Sequence, residues 1–126
     1  MAIIRINDLK VRTLIGANSW EKANKQEVVI HITIQYDASK ACLSDKLKDA
    51  LNYESVAAKA IKTAEGGHHT LLEKLASKLL AGIMSDRRVR AAHVRVDKPQ
   101  ALAQARCVSC SVGETRAGKE SRLFFQ

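Results

Sequence analysis

The sequence predicts an α+β domain in which a four-stranded antiparallel sheet carries two helices on one face. Three observations support this class: two-residue alternation near the N-terminus, helical periodicity in the middle, and alternation again near the C-terminus. The predicted element order is therefore ββααββ. A single domain covers residues 1–112, and a polar C-terminal tail covers residues 113–126.

The first two elements are predicted strands. Residues 3–15 have alternating apolar side chains, and Asn7-Asp8 shifts their register as a turn or bulge does. Gly16 ends this strand, and residues 20–26 are compatible with one helical turn. Residues 28–36 then alternate without interruption, which predicts a long antiparallel partner for the first strand.

Two amphipathic helices and two further strands complete the predicted domain. An apolar stripe that begins near Tyr53 ends at Gly66-Gly67, a typical helix stop. The second helix begins after Thr70, with inward-facing apolar residues at Leu72, Leu75, Ala76, Leu79, Leu80 and Ile83. Residues 92–97 alternate again until Pro99, and residues 108–112 form the last strand.

The composition limits the class of partner. Of 126 residues, 46% are hydrophobic and 4% are aromatic, and the net charge is +8. A basic chain favours nucleic acid, a phosphorylated metabolite or an acidic protein, although a solubilising surface explains the charge equally well. Because the charges are dispersed and base-stacking aromatics are few, we expect no nucleic-acid partner. Without a long apolar run or a signal-peptide pattern, we expect a cytoplasmic protein that binds no membrane.

The cysteines and histidines do not form a predicted metal or disulfide site. Cys42, Cys107 and Cys110 make an odd number, and the last two lie three positions apart on a strand, so they point to opposite faces. His68 and His69 occupy a turn, and no spacing gathers the three ligands that a zinc site needs. We therefore predict reduced, structural thiols and no metal.

Four polar side chains lie next to structural breaks and are candidates for chemistry: Glu21, Tyr53, Glu73 and Lys98. Each has a structural alternative. Glu21 suits a solvated loop, Tyr53 suits packing under the sheet, and the Thr70-x-x-Glu73 spacing suits a capping box. Lys98 has the strand parity of apolar neighbours, which predicts that it points toward the apolar face and snorkels to water at the strand end.

The order of four motifs resembles the dihydroneopterin aldolase and epimerase family, which has the tunnelling fold. The resemblance spans about residues 2–112. The motifs are Ile15-Gly16 followed by Trp20-Glu21, Ala50-Leu51-Asn52-Tyr53, Leu71-Leu72-Glu73-Lys74-Leu75, and Val96-Asp97-Lys98-Pro99. Each motif alone is weak, but four in order at family-like spacing are fairly specific.

The resemblance implies a role for each candidate. Glu73 would accept two hydrogen bonds from the 2-amino and N3–H edge of a reduced pterin, and Leu72 would offer backbone groups to the same edge. Tyr53 would lie beside the ring and transfer a proton, Lys98 would be the catalytic lysine, and Glu21 would hold the side-chain hydroxyls. The pterin's own imine absorbs the electrons, so the resemblance implies neither a metal nor a bound cofactor.

The resemblance leaves two activities open. Residues 2–6, 49–53 and 71–75 look more like the dihydroneopterin triphosphate 2'-epimerases, and the +8 charge suits a triphosphate. Residues 19–21 look more like the aldolases, which release glycolaldehyde in folate biosynthesis. We favour the epimerase. Candidate phosphate contacts are Lys22, Lys25 and Arg95.

The resemblance also implies a homo-octamer of two stacked tetrameric rings with active sites between neighbouring subunits. The open edges of a four-stranded sheet are consistent with such pairing. Three other classes are a zinc-dependent pterin synthase of the same fold, a basic nucleic-acid-binding module, and a scaffold without activity. The first requires clustered histidines, and the last does not explain the Glu, Tyr and Lys set.

Overall fold

A computed structural model describes residues 1–116, which adopt an α+β fold. The elements, in chain order, are β1 (Ala2–Ile15), α1 (Ser19–Ala23), β2 (Gln26–Tyr36), α2 (Ser39–Ser44), a 3-10 turn (Leu47–Asp49), α3 (Tyr53–Glu65), β3 (His68–His69), α4 (Leu72–Met84), β4 (Val89–Lys98) and β5 (Val108–Thr115). The sheet order is β3-β1-β2-β4-β5. Helices α3 and α4 pack on one face of this sheet, as predicted.

The sheet differs from the prediction in one respect. It has five strands and is mixed, because β3 pairs in parallel with the end of β1, at Leu14 with His68 and Ile15 with His69. The prediction of four antiparallel strands was therefore wrong. A two-residue strand is too short to show alternation, so only its backbone pairing identifies it.

Alternating burial on β2 places the core on the helical face of the sheet. Every second residue from Gln26 to Tyr36 is buried, and the residues between them lie on the opposite face. A bulge in β1 preserves this arrangement, because Ile6 pairs with Ile32 while Leu9 pairs with Ile30. The extra residue lets apolar side chains from both halves of β1 face the helices.

The two long helices bury the faces that their periodicity predicts. Helix α3 buries its alanines Ala60 and Ala64. Helix α4 buries six side chains: Leu75, Ala76, Leu79, Leu80, Ile83 and Met84. The small side chains on α3 allow it to approach β1 closely, while α4 supplies most of the apolar surface over β4 and β5. None of the helices within residues 1–116 is long and apolar enough to cross a bilayer.

The last strand is longer than predicted. Strand β5 continues to Thr115, so residues 113–115 belong to the sheet rather than to the tail. Arg116 then binds back to the domain, because its Nε donates to the carbonyl of Val89 at 2.9 Å and its Nη2 donates to that of Met84 at 2.7 Å. The rest of the predicted tail, residues 117–126, lies outside the described part of the chain.

Candidate active site

Glu21 and Lys98 form an ion pair although 77 positions separate them in sequence. Glu21 is 4% exposed and lies on α1, just beyond the end of β1. Lys98 is the last residue of β4 and has the parity of the buried Val94 and Val96, as predicted. Its Nζ donates to Glu21 Oε2 at 2.5 Å. The structure therefore brings two of the four predicted site residues into direct contact, and the interpretation of Glu21 as a solvated loop residue was wrong.

The Glu21 carboxylate accepts four hydrogen bonds from the described part of the chain. Oε1 accepts from the backbone N–H of Asn18 at 3.2 Å and from its Nδ2 at 2.9 Å. Oε2 accepts from Gln26 Nε2 at 2.9 Å and from Lys98. The bonds from Lys98 and Gln26 are the main cause that lowers the pKa of Glu21 to about 2. Glu21 is therefore an anion throughout the neutral range, and it cannot supply a proton there.

Gly16 makes room for this carboxylate. Its φ of +132° lies in the region that favours glycine, and a Cβ built at this position would lie 2.1 Å from Cδ of Glu21. Its backbone N–H donates to the carbonyl of His69 at 2.8 Å, and its carbonyl lies 2.8 Å from Nε2 of His68. Strand β3 thus fixes the turn against which Glu21 packs.

The predicted capping box at the start of α4 does not form. Leu71, rather than Thr70, occupies the N-cap position and makes no side-chain cap. Glu73 is exposed in the first helical turn, and Leu72 beside it is half-buried. Within residues 1–116, no hydrogen bond or ion pair engages the Glu73 carboxylate. The capping interpretation of Glu73 was therefore wrong, and its acceptor oxygens face outward.

Glu73 lies at the same end of the sheet as Lys98. Helix α4 begins shortly after His69, which pairs with Ile15 at the end of β1, beside Gly16 and Glu21. Burial raises the pKa of the Cys110 thiol, and the negative charge of Glu73 raises it further, which is consistent with this placement. Cys110 is opposite Val96 in the β4–β5 ladder, two positions before Lys98. The start of α4 and the end of β4 therefore meet at one edge of the domain.

Tyr53 is remote from the other predicted site residues in the fold of one chain. It begins α3 and is 58% exposed, so it is not packed under the sheet as one interpretation predicted. Lys59 Nζ on α3 donates to the carbonyl of Gly82 near the end of α4, and Arg88, just after α4, donates to the carbonyl of Ala50, just before α3. The start of α3 therefore lies near the end of α4. Tyr53 is thus close to the C-terminal end of α4, whereas Glu73 is at its N-terminal end. Within one chain, Tyr53 does not join Glu21 and Lys98.

Asn18 and Gln26 contact the carboxylate but were not among the predicted site residues. A signal for Gln26 was available, since it has the parity of the buried side chains that follow it on β2. The signal for Asn18 was weaker, because asparagine before a short helix usually indicates only an N-cap.

Arg95 is on the other face of the sheet. Its Nε donates to Asp97 Oδ1 at 3.0 Å, and its Nη2 lies 3.1 Å from His31 Nε2. Because Lys98 faces the helices, the side chains of Arg95 and Lys98 lie on opposite faces of the sheet within one chain. Lys22 and Lys25 are exposed near Glu21.

Comparison with known proteins identifies the family. The model of the FolB dihydroneopterin aldolase family matches residues 4–113. The chain belongs to this family. The structure of the Escherichia coli dihydroneopterin aldolase in complex with neopterin superposes with a TM-score of 0.86 and 29% sequence identity, and the alignment covers 90% of this chain and 99% of that one.

Within the family, this chain is more similar to proteins named for epimerisation. It is 40% identical to the dihydroneopterin triphosphate 2'-epimerase of Pseudomonas aeruginosa over 116 residues, which cover 92% of this chain and 94% of that protein. It is 30% identical to the dihydroneopterin aldolase of Escherichia coli strain K12 over 105 residues, which cover 83% and 86% of the two chains. The recognition of the family from its four motifs is confirmed.

Proposed function

We propose that this protein inverts C2' of the side chain of 7,8-dihydroneopterin triphosphate by a retro-aldol reaction followed by an aldol reaction. The observation that carries the proposal is the Glu21–Lys98 pair, which lies at the same end of the sheet as the exposed carboxylate of Glu73 at the start of α4. The greater similarity to an epimerase than to an aldolase favours this activity over simple cleavage.

Glu73 is the proposed pterin anchor. Its carboxylate is exposed and has no donor among the described side chains, so it can accept the 2-amino and N3–H groups of the ring as a bidentate pair. The backbone of Leu72 is next to it and is proposed to bind the same edge of the ring. An unpaired carboxylate in the first turn of a helix suits a ligand that brings two donors.

The substrate supplies the electron sink. Removal of the proton from the C2' hydroxyl converts C2' into an aldehyde and breaks the C1'–C2' bond. The electron pair of that bond forms a C1'=C6 double bond while N5 takes up a proton, which gives an enamine. Rotation of the aldehyde fragment and attack by C1' on its other face restores the C1'–C2' bond with C2' inverted, while N5 releases its proton and the C2' oxygen takes one up. No electrons enter or leave, so the protein has only protons to move.

Lys98, Tyr53 and Glu21 are the proposed catalytic residues. Lys98 moves the proton at the reacting side chain, and Tyr53 reaches the pterin from a neighbouring subunit and relays a proton at the ring. Glu21 holds Lys98 and receives the side-chain hydroxyls when the ammonium turns toward the substrate. Lys22 and Lys25 are proposed contacts for the triphosphate.

Dihydroneopterin aldolase activity is the second candidate. In that reaction the aldehyde leaves as glycolaldehyde, and protonation of C1' gives 6-hydroxymethyl-7,8-dihydropterin. The segment Ser19-Trp20-Glu21 and the 30% identical aldolase favour this outcome. The same groups perform both reactions, because the two paths differ only in the fate of the aldehyde.

We also propose that the protein forms a homo-octamer of two tetrameric rings and that it is cytoplasmic. Tyr53 is remote from Lys98 within one chain, so a shared site between subunits explains why both belong to the chemistry. The three cysteines are free, as expected in a reducing compartment.

Product analysis tests the proposed function. Purified protein is incubated separately with 7,8-dihydroneopterin triphosphate and with 7,8-dihydroneopterin, and the products are separated by chromatography. We expect inversion at C2' of the triphosphate to be the faster reaction and Lys98→Ala to lose it. Glycolaldehyde release as the main reaction would establish the aldolase instead, and turnover of neither compound would refute both candidates.

A further inference from the structure

We propose that Asn18 and Gln26 are positioning residues that fix the Glu21 carboxylate and, through it, the Lys98 ammonium. They donate three of the four hydrogen bonds that the carboxylate accepts, from the loop before α1 and from the first residue of β2. This inference rests on the proposed function, because it assigns the two amides to the orientation of the proposed catalytic lysine.

The geometry leaves Glu21 little freedom. A carboxylate has about four lone-pair positions, and Asn18, Gln26 and Lys98 occupy all of them. Asn18 contributes both its backbone N–H and its side-chain amide to Oε1, so this oxygen is fixed by one residue. Oε2 is left to Gln26 and Lys98. The position of Lys98 is therefore set by a carboxylate that cannot rotate without breaking a bond to an amide.

The amide of Gln26 has a fixed orientation. Nε2 donates both to the carbonyl of Ile15, at 2.8 Å, and to Glu21. A flipped amide would place Oε1 against these two oxygens, and its lone pairs would repel theirs. Oε1 is instead buried without a hydrogen-bond partner among residues 1–116, which is an unfavourable arrangement. The two hydrogen bonds that Nε2 donates offset the unpaired Oε1, and they connect Glu21 to the end of β1.

The two amides and the charged groups around Glu21 contribute differently to its hydrogen bonds. Lys98 from β4 is the cation that contacts it, and His68 on β3 contacts the neighbouring Gly16. On its own segment, Lys22 is exposed. The neutral amides add donors without adding charge, so they support the ionised carboxylate while Lys98 remains the single cation in contact with it among residues 1–116. When Lys98 turns toward substrate, the amides still keep Glu21 in place.

The variant Asn18→Asp tests whether the amide of Asn18 positions the Glu21 carboxylate. Aspartate is as good an N-cap as asparagine, so α1 is retained, but the side chain loses its donor and faces Glu21 with a like charge. We expect the pKa of Glu21 to rise from about 2 toward its ordinary value. We also expect kcat for the pterin reaction to fall between about 10-fold and 100-fold, with KM changed less than about twofold. The pKa is followed by NMR of carboxyl-13C glutamate, with the signal assigned through Glu21→Gln.

Asn24→Asp is the matched control. Asn24 follows the same helix and its amide donates to the carbonyl of Trp20 rather than to Glu21. A second pair, Gln26→Met and Gln35→Met, compares a residue that contacts Glu21 with one on the opposite face of β2. If Gln26→Met does not fold, Asn18→Asp decides alone.

The result can contradict the inference without affecting the proposed function. A Glu21 pKa near 2 in Asn18→Asp, or a kcat equal to that of Asn24→Asp, would overturn the positioning role. If the unmodified protein turned over neither pterin, the proposed function would fail, while the NMR titration would still report whether the amides hold the carboxylate.

Discussion

At the scale of single residues, the site depends on how one carboxylate is accommodated. Glu21 is buried in the first turn of a five-residue helix, and Gly16 is the residue that leaves space for it. The donors come from Asn18, Gln26 and Lys98, which belong to three different segments. A short helix contributes little stability of its own, so these bonds and the glycine determine where the carboxylate lies.

Gly16→Ala is expected to displace Glu21. The new methyl group would occupy the position of the carboxylate, and the positive φ adds backbone strain of about 1 kcal/mol. We expect kcat/KM to fall about 100-fold or more as Lys98 loses its partner. Gly67→Ala is the control for strain alone, since Gly67 has a φ of +72° and no atoms within 4 Å of its added Cβ. Equal activity of the two variants, measured beside their unfolding in urea, would contradict the steric explanation.

Glu73→Ala is expected to abolish pterin binding while the protein remains folded. The carboxylate makes no cap, so its loss removes a helix-dipole interaction worth about 0.5 kcal/mol. Glu54→Ala is a matched control, because Glu54 is also the second residue of a 13-residue helix. Titration calorimetry with neopterin measures both variants. Neopterin binding by Glu73→Ala that equals that of Glu54→Ala would exclude the anchor role.

At the scale of elements, the connection from α3 to β3 positions one side of the site. The carbonyl of Ala64, in the last turn of α3, accepts from Thr13 Oγ1 at 2.5 Å and from His69 Nε2 at 3.0 Å. These donors tie the end of α3 to β1 and β3 and satisfy a carbonyl that the helix leaves free. Strand β3 also contacts Gly16 through His68 and His69. The end of α3 and the turn beside Glu21 are therefore linked through β3.

His69 is expected to make the fold sensitive to mild acid. Burial lowers the pKa of His69 below its usual value, although its bond to Ala64 opposes this, and Nδ1 is buried without a partner within residues 1–116. The unfolded chain therefore binds a proton more readily than the folded one, and stability falls as pH drops below about 6.5. Burial also lowers the pKa of His93, which contributes in the same direction.

His69→Gln separates the two contributions. Glutamine retains an N–H donor for Ala64 but does not titrate, so we expect a smaller loss of unfolding free energy between pH 8 and pH 5 than in the unmodified protein. Urea unfolding at each pH measures the slope. The value at pH 8, where the neutral imidazole dominates in both states, gives the cost of the substitution itself. An unchanged slope would assign the acid sensitivity to other groups.

At the scale of the whole molecule, the sheet edges and the position of Tyr53 point to assembly. Strand β3 covers β1 only at Leu14 and Ile15, and β5 is the other edge of the described sheet. Open edges readily pair with another chain. Because Tyr53 lies at the opposite end of the helical hairpin from Glu73, a monomer would hold an incomplete set of the proposed residues.

Mixed oligomers test whether subunits share a site. Lys98→Ala and Tyr53→Ala are each expected to be inactive alone, but co-assembly in equal amounts should restore about one quarter of the sites if neighbours contribute one residue each. Lys98→Ala mixed with Glu21→Gln is the control, since these residues contact each other within one chain and cannot complement. No activity in the first mixture, despite co-assembly, would place Tyr53 and Lys98 of one site in the same subunit. Native mass spectrometry gives the oligomeric state in parallel.

Elements with a regular spacing of apolar residues could be predicted before the structure was known. Alternation along β2 and helical spacing along α4 follow from burial of one face, so they identified both elements and the α+β class. The same reasoning placed Lys98 on the apolar face of β4. Four ordered motifs also determined the family, because their residue types and spacing can be recognised without knowledge of which segments meet.

Contacts between distant segments could not be predicted from spacing, because they depend on how the chain packs. Burial of Glu21, its bonds to Asn18 and Gln26, and the separation of Tyr53 from Lys98 depend on how strands and loops meet in space. The pairing of β3 with β1 could not be predicted either, because a strand of two residues is too short to show alternation. Periodicity reports the face on which a side chain lies, whereas a site requires knowing which faces and ends come together, and this is set by packing across the whole chain.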